Sequence, residues 1–289
     1  MYDHILFPTD GSDTAESVLD YVLDVAAAHD ATLHVLHVAD TNRDSVTDVR
    51  GEIVDVLEQA GERVVGTVVD RATDRGVTAE GEVMQGDPSL TIADYAAEYG
   101  MDLVVMPTHG RRGLERVLLG SVTERVLNAA PVPVLVVNPD GEAEYRYPCR
   151  RVLVPTDGSP GAERALAEGV DVAAATGATL HVLHVVETGS LGPDARSVIR
   201  DSELDEHAHE ILDSAVETAE ESLDSVTGSV VYGTPHREIR AYAESEGVDL
   251  LVLGTQGQTN FSWYALGGVS SKLVRSSPAP LLMTRTAED

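Results

Sequence analysis

The segment Met106–Glu124, MPTHGRRGLERVLLGSVTE, carries residue types that can hold an anion. It leaves an apolar run, crosses a glycine-bearing loop and enters a helical pattern at Gly120 and Ser121. Glycine lets backbone N–H groups approach a ligand closely, and a helix N-terminus adds unpaired donors and partial positive charge. Ser121 adds a hydroxyl suited to a phosphate, while Arg111 and Arg112 stand in the loop with Arg116 beyond them. Guanidinium groups make charge-assisted contacts to phosphate, each about 1.5–3 kcal/mol when well ordered. A second reading stays open. Ser121 with Glu124 also spells a capping box, which satisfies helix donors without any ligand, and the arginines equally suit a solvated face. No residue stands out as a general base for attack by water, so none is assigned a catalytic role. His34 and His37, with their counterparts His181 and His184, have no Cys or carboxylate at ligand spacing. Zinc needs three or four convergent ligands, so no metal is assigned either.

The elements that must position these residues are read from hydrophobic period. Ile5–Phe7 is an apolar run closed by Pro8, and 13–29 places Val18, Leu19, Val22, Leu23 and Ala26 on one helical face. A second run spans 33–38, and a polar segment with helical spacing extends roughly from Ser45 to Arg75. Strands follow near 78–84, 103–106 and 132–137, with helices near 88–99 and 121–129 between them. Short aliphatic strands alternating with helices predict a parallel sheet covered on both faces. Such sheets bind ligands outside the carboxyl ends of their strands, where the strand order switches. PTDGS follows the first strand and puts Asp10 at that edge; capping the next helix is its other available role.

The whole pattern is written twice. ILFPTDGSDT at 5–14 returns as VLVPTDGSPG at 152–161, and TLHVLHV at 32–38 returns unchanged at 179–185. The offset of 147 residues also relates Gly110 to Gly257 and Gly120 to Gly267. Solenoid repeats run roughly 20–50 residues, so this period is a whole domain. Domains are expected at 1–139 and 150–289. The stretch between them, 140–149, has turn chemistry and no apolar period and reads as a linker. An apolar content of 43% supports two cores, and aromatics at 4% make them aliphatic.

A net charge of −29 repels phosphate backbones and anionic lipid, which argues against nucleic-acid and membrane partners. No apolar stretch reaches the roughly 18 residues of a membrane span. Met1 runs directly into strand-like HILFP without a signal-peptide pattern, and the one cysteine, Cys149, cannot form an internal disulfide. A cytoplasmic location is therefore expected. Lys272 is the only lysine. An acid-rich, lysine-poor composition resembles that of proteins adapted to concentrated salt, where screening hides self-repulsion.

Taken together, PTD, HV and the spaced glycines resemble the universal stress protein family across both halves. The ATP-binding branch of that family carries G-x2-G-x9-G-[ST] after its fourth strand. The first half matches at Gly110, Gly120 and Ser121, with Pro107 at the first glycine; the second matches at Gly254, Gly257 and Gly267, with Gly268 at the hydroxyl position. The resemblance implies two flavodoxin-like (Rossmann-like) α/β domains, each a five-stranded parallel sheet of order 3-2-1-4-5 with helices on both faces. It implies ATP or AMP, with Mg2+ as a candidate companion, in the cleft above each sheet. Asp10 and Asp157 then lie near the ribose, flanked by Pro8, Thr9, Pro155 and Thr156. Val38 and Val185 meet the adenine through their backbones. Met106, Val122 and Thr123 complete the first set, and Ser270 matches Thr123 in the second. Family members dimerise through the last strand, so the two halves are expected to form a pseudo-dimer, with a further homodimer open.

The halves are not equivalent. Pro107 fixes φ and lacks an N–H, which weakens the sugar side of the first site, while Arg111, Arg112 and Ser121 keep its phosphate side. The second loop, QTNFSWYAL, has no positive charge. Its Phe261, Trp263 and Tyr264 suit a core or an anchor for a protein partner. The expected function is adenine-nucleotide binding in a stress response, non-catalytic or slowly hydrolysing, with the first half the better ATP site. The alternative is a nucleotide-free module of the same fold that acts through protein contacts.

Overall fold

The computed structural model describes residues 1–40, 46–49, 52–110, 119–139, 145–188, 203–255 and 266–285. The chain forms two compact units, Tyr2–Asp140 with Arg146–Pro148, and a second whose body is Cys149–Asp289. In the first unit the order is β1 (His4–Pro8), α1 (Asp13–His29), β2 (Thr32–Asp40), β3 (Val46–Val49), β4 (Glu52–Asp55), α2 (Val56–Asp74) and β5 (Ala79–Gly86). It continues with α3 (Pro88–Glu98), β6 (Leu103–Pro107), α4 (Ser121–Ala129) and β7 (Val134–Val137). Its sheet runs β5-β2-β1-β6-β7, every pair parallel, which is the expected 3-2-1-4-5 order.

The second unit repeats that frame. Its described elements are β8 (Arg151–Thr156), α5 (Pro160–Thr176), β9 (Thr179–Glu187), α6 (Glu203–Glu220), β10 (Val226–Gly233), α7 (Pro235–Glu246), β11 (Leu250–Gly254), α8 (Gly268–Ser276) and β12 (Leu281–Thr284). They build the parallel order β10-β9-β8-β11-β12.

Successive strand side chains point to opposite faces, so a run that is apolar throughout must be covered on both. Ile5, Leu6 and Phe7 are all fully buried, as are Val152, Leu153 and Val154. Each large aliphatic side chain removed from water contributes about 1.5–3 kcal/mol. The histidines of β2 identify which helix covers which face. His34 and His37 are an odd number of residues apart and point opposite ways. Tyr95 of α3 meets His34 edge-on at 6.4 Å, whereas Gly61 of α2 lies against His37. The same geometry rules the pair out as joint ligands of one metal ion.

Two local expectations change. The hydroxyls of Ser12 and Ser159 cap α1 and α5, accepting from Ala15 N–H at 3.3 Å and Ala162 N–H at 3.2 Å. Asp10 and Asp157 instead tighten the turn before each helix, their Oδ1 atoms accepting from Ser12 N–H and Ser159 N–H at 3.0 Å. The polar segment expected to be helical from Ser45 opens with an antiparallel hairpin, Val46 opposite Asp55, and the helix begins at Val56. Val46, Thr47, Val49, Ile53 and Val54 are β-branched and favour the extended chain. The expected linker is also anchored at its end. Tyr147 hydrogen-bonds His29 at 2.5 Å, and Cys149 is buried, which pushes its thiol pKa up and keeps it unreactive.

Candidate functional site

In the first unit a cavity of about 370 Å3 opens at the carboxyl ends of β1, β2 and β6. That lies within the range of small-molecule pockets. Pro8, Thr9 and Asp10 supply the β1 side, Val38 and Asp40 the β2 side, and Met106, Pro107, His109 and Gly110 the β6 side. Gly120, Ser121, Val122 and Thr123 form the wall at the start of α4, and α3 adds Pro88 and Ile92. All ten described first-half residues singled out from sequence line this one cavity. Arg111, Arg112 and Gly257 lie outside the described residues, as do Arg116 and the aromatic trio of the second loop.

Short backbone contacts fix each wall. Thr9 N–H donates to Leu36 C=O at 2.9 Å, and Thr9 Oγ1 accepts from Gly11 N–H at 3.2 Å. His37 Nδ1 stands 2.8 Å from Thr9 C=O. A carbonyl only accepts, so Nδ1 carries the proton and the ring holds the end of β1. His184 repeats this bond to Thr156 C=O at 2.9 Å. Burial is the main reason its pKa falls below the ordinary value. Gly110 is required by close approach: a Cβ there would lie 2.7 Å from Asp10 Oδ2. The loop after β6 is pinned at both ends. Thr108 N–H donates to Val137 C=O at 2.9 Å, Gly120 N–H to Thr108 C=O at 2.7 Å, and Thr123 Oγ1 to Pro107 C=O at 3.0 Å.

That last bond changes the expected division of labour. Thr123 is buried and ties α4 to the strand, whereas the Ser121 side chain is exposed at the cavity wall. The capping box does not form. Gly120 is the N-cap of α4, among the described residues no side chain caps the helix, and Ser121 is its first helical residue. Among the described residues the first-turn N–H groups have no side-chain acceptor, an arrangement suited to an anion. Pro107 lines the cavity and does not close it.

The second unit places Pro155, Thr156 and Asp157 at the end of β8, Val185 in β9, Gly254 at the end of β11 and Gly267 at the N-cap of α8. Ser270 Oγ donates to Gly254 C=O at 2.9 Å, as Thr123 does to Pro107. Gly254 has a packing reason of its own. A Cβ there would stand 2.6 Å from Gly161 C=O, so the first turn of α5 rests on the strand end. His109 and Asp40 were missed from sequence. His109 stands between two motif positions, but only folding brings it to the cavity. Among the described residues, no three His, Cys, Asp or Glu side chains converge to hold a metal ion.

A model of the universal stress protein family matches residues 1–138 and again 148–285. The chain belongs to the universal stress protein family. Its two units are tandem domains of that family. A universal stress protein of Methanocaldococcus jannaschii is 36% identical over 140 residues, covering 47% of this chain and 82% of that one. One from Mycolicibacterium smegmatis is 27% identical over 296 residues, covering 97% of this chain and 96% of that one. The crystal structure of a universal stress protein from Archaeoglobus fulgidus aligns with TM-score 0.74 at 27% identity, covering 98% of each chain. Among the described residues no helix is long and apolar enough to cross a membrane.

Proposed function

We propose that this universal stress protein binds an adenine nucleotide, ATP or AMP, in the first-unit cavity and changes its contacts with a protein partner according to occupancy. The observation that carries this reading is the uncapped N-terminus of α4 in the same cavity as Asp10 and the end of β2. In this reading the phosphates meet the first-turn N–H groups of α4 and the Ser121 hydroxyl. Asp10 accepts from the ribose hydroxyls, and the backbone at Val38 meets the base. Mg2+ would accompany ATP at the phosphate end. No side chain is assigned as a general base, so turnover of ATP is slow or absent. The first site is the stronger, because Gly268 removes the second unit's hydroxyl and Gly254 brings α5 onto its strand end.

The test is to denature freshly purified protein from high salt and quantify the adenine nucleotide released. About one per chain is expected, and about two would overturn the ranking of the sites. None, together with no calorimetric heat on adding Mg-ATP, would defeat nucleotide binding and leave an interaction module. Gly120→Val, which blocks the approach to the uncapped helix end, should abolish release; because its Cβ would also stand 3.2 Å from His109 Cα, its melting temperature is measured beside that of wild type to separate lost binding from lost fold.

A further inference from the structure

His4 opens β1 and His34 is the third residue of β2, and their rings meet on the face of the sheet that α3 covers. His4 lies level with Thr32, two residues before His34 and on the same face. His4 Nδ1 stands 3.1 Å from His34 Nε2, with ring centroids 5.3 Å apart and planes inclined at 58°. The backbone beneath the pair is fixed, because Asp102 Oδ2 accepts from the N–H groups of both Asp3 and His4 at 2.8 Å. Glu80 of β5 is the cross-strand neighbour of His34, and Glu82, next on that face, accepts from the Tyr95 hydroxyl. This group lies toward the amino ends of the strands, away from the cavity at their carboxyl ends. The second unit keeps the frame and changes the chemistry. Asp249 holds the N–H groups of Arg150 and Arg151 as Asp102 holds those of Asp3 and His4. Arg151 therefore stands where His4 does, and His181, the counterpart of His34, meets the Tyr242 hydroxyl at 3.1 Å. Across from it, β10 carries Thr227 in place of Glu80 and Ser229 in place of Glu82.

We propose that His4 and His34 form a two-imidazole site for a divalent transition metal of tetragonal preference, Cu2+ above Ni2+. A metal about 2.0–2.1 Å from each of two nitrogens 3.1 Å apart would hold them at about 100°, near the right angle between neighbouring ligands of a tetragonal centre. Imidazole nitrogen with carboxylate or water oxygen is the donor set such metals take, and Cu2+ binds such a set more tightly than Ni2+. Each neutral ring keeps one proton. The ring that donates across the pair moves its proton to its remote nitrogen, and both inner lone pairs then face the metal. His4 is exposed, so its ring has room to turn. Glu80 supplies negative charge beside the cation, and water completes the coordination. With two protein ligands rather than the three or four of a zinc site, the metal exchanges and the fold does not depend on it. The second unit, with Arg151 at the first ligand position, has no such pair.

The experiment is a titration of the metal-stripped full chain with Cu2+, in a non-coordinating buffer at pH 7.5 with molar sodium sulfate to screen the acidic surface. Affinity is read by calorimetry and the ligands by electron paramagnetic resonance. Wild type should bind about one Cu2+ per chain, with hyperfine splitting from two imidazole nitrogens. His4→Arg, which installs the residue that the second unit carries there, should weaken that binding by about tenfold or more and leave the melting temperature unchanged. His34→Gln should weaken it alike, and His181→Gln should leave it as in wild type. Copper bound through oxygen alone would be an ion held by surface carboxylates and would overturn the proposal. So would equal affinity in His4→Arg, or a loss in His181→Gln as large as that in His34→Gln. A loss in His4→Arg without one in His34→Gln would place the metal on the first residues of the chain instead, and leave the ring pair as an ordinary hydrogen bond.

Discussion

Gly110 and Gly254 occupy neighbouring places in the two glycine-loop motifs, but different neighbours demand them. At Gly110 the neighbour is the Asp10 carboxylate, the end of a movable side chain. Gly110→Ala should therefore turn Asp10 aside and weaken nucleotide binding by about tenfold, with little change in melting temperature. At Gly254 the neighbour is the backbone of Gly161, which cannot turn aside. Gly254→Ala should destabilise the second unit by about 1–3 kcal/mol, read from denaturant midpoints. A result in which both variants lose stability alike would show that the Asp10 wall is as rigid as backbone. The glycine spacing was legible as a motif in both halves. What it could not show is which glycine meets a ligand wall and which meets a helix, because α5 approaches β11 only in the folded chain. The same limit hid His109 and Asp40, and it hid the bond by which Thr123, itself in the cavity wall, holds Pro107 C=O.

At the scale of elements, the strands were readable because Ile5–Phe7 of β1 and Val152–Val154 of β8 are unbroken apolar runs, a pattern that a sheet covered on both faces requires. The caps were harder. Asp10 and Ser12 both precede α1 and both suit an N-cap, and the choice between them depends on turn geometry. The C-terminal cap offers a cleaner comparison. α5 ends in Gly177 at φ +70°, whereas α1 ends at the equivalent position in Asp30 at φ +53°. Among the described residues Asp30 is the only non-glycine with positive φ. It is exposed, and its negative charge sits at the negative end of the helix. Asp30→Gly should therefore stabilise the first unit by up to about 1 kcal/mol, visible as a higher denaturant midpoint. Asp87, the N-cap of α3, works in the opposite sense. Its carboxylate accepts from Ser89 Oγ at 2.5 Å and from the N–H groups of Ser89 and Leu90, and these bonds hold its pKa below the ordinary 3.8. A depressed carboxylate pKa stabilises above the unfolded value and is lost as pH falls through the folded one. Asp87→Ala should cost about 1 kcal/mol at pH 7, and that difference should fade below pH 3.8.

At the scale of the whole molecule two electrostatic effects oppose each other on mild acidification. His29, His34, His181, His184 and His236 all have pKa values lowered below 6.5, each chiefly because burial disfavours the charged ring. A histidine with a lowered folded pKa binds its proton more readily in the unfolded chain. Its stabilising contribution is complete above pH 6.5 and is lost as pH falls toward the folded value. Against this, a chain of net charge −29 with ten histidines sheds negative charge as they protonate, which relieves self-repulsion. Salt separates the two, because at 1 M the screening length is only about 3 Å and reaches surface repulsion far more than half-buried rings. Raising salt at pH 7.5 should therefore raise the melting temperature, as expected if the acidic surface is an adaptation to salt. In molar salt, going from pH 7.5 to pH 5.5 should lower it, and at low salt the same change should lower it less or raise it. Thermal melts at the four combinations of pH and salt decide the matter. A fall on acidification that is equally large at both salt levels would mean that self-repulsion contributes little and the buried rings govern; no fall in molar salt would mean that the rings are hydrated enough to protonate in place.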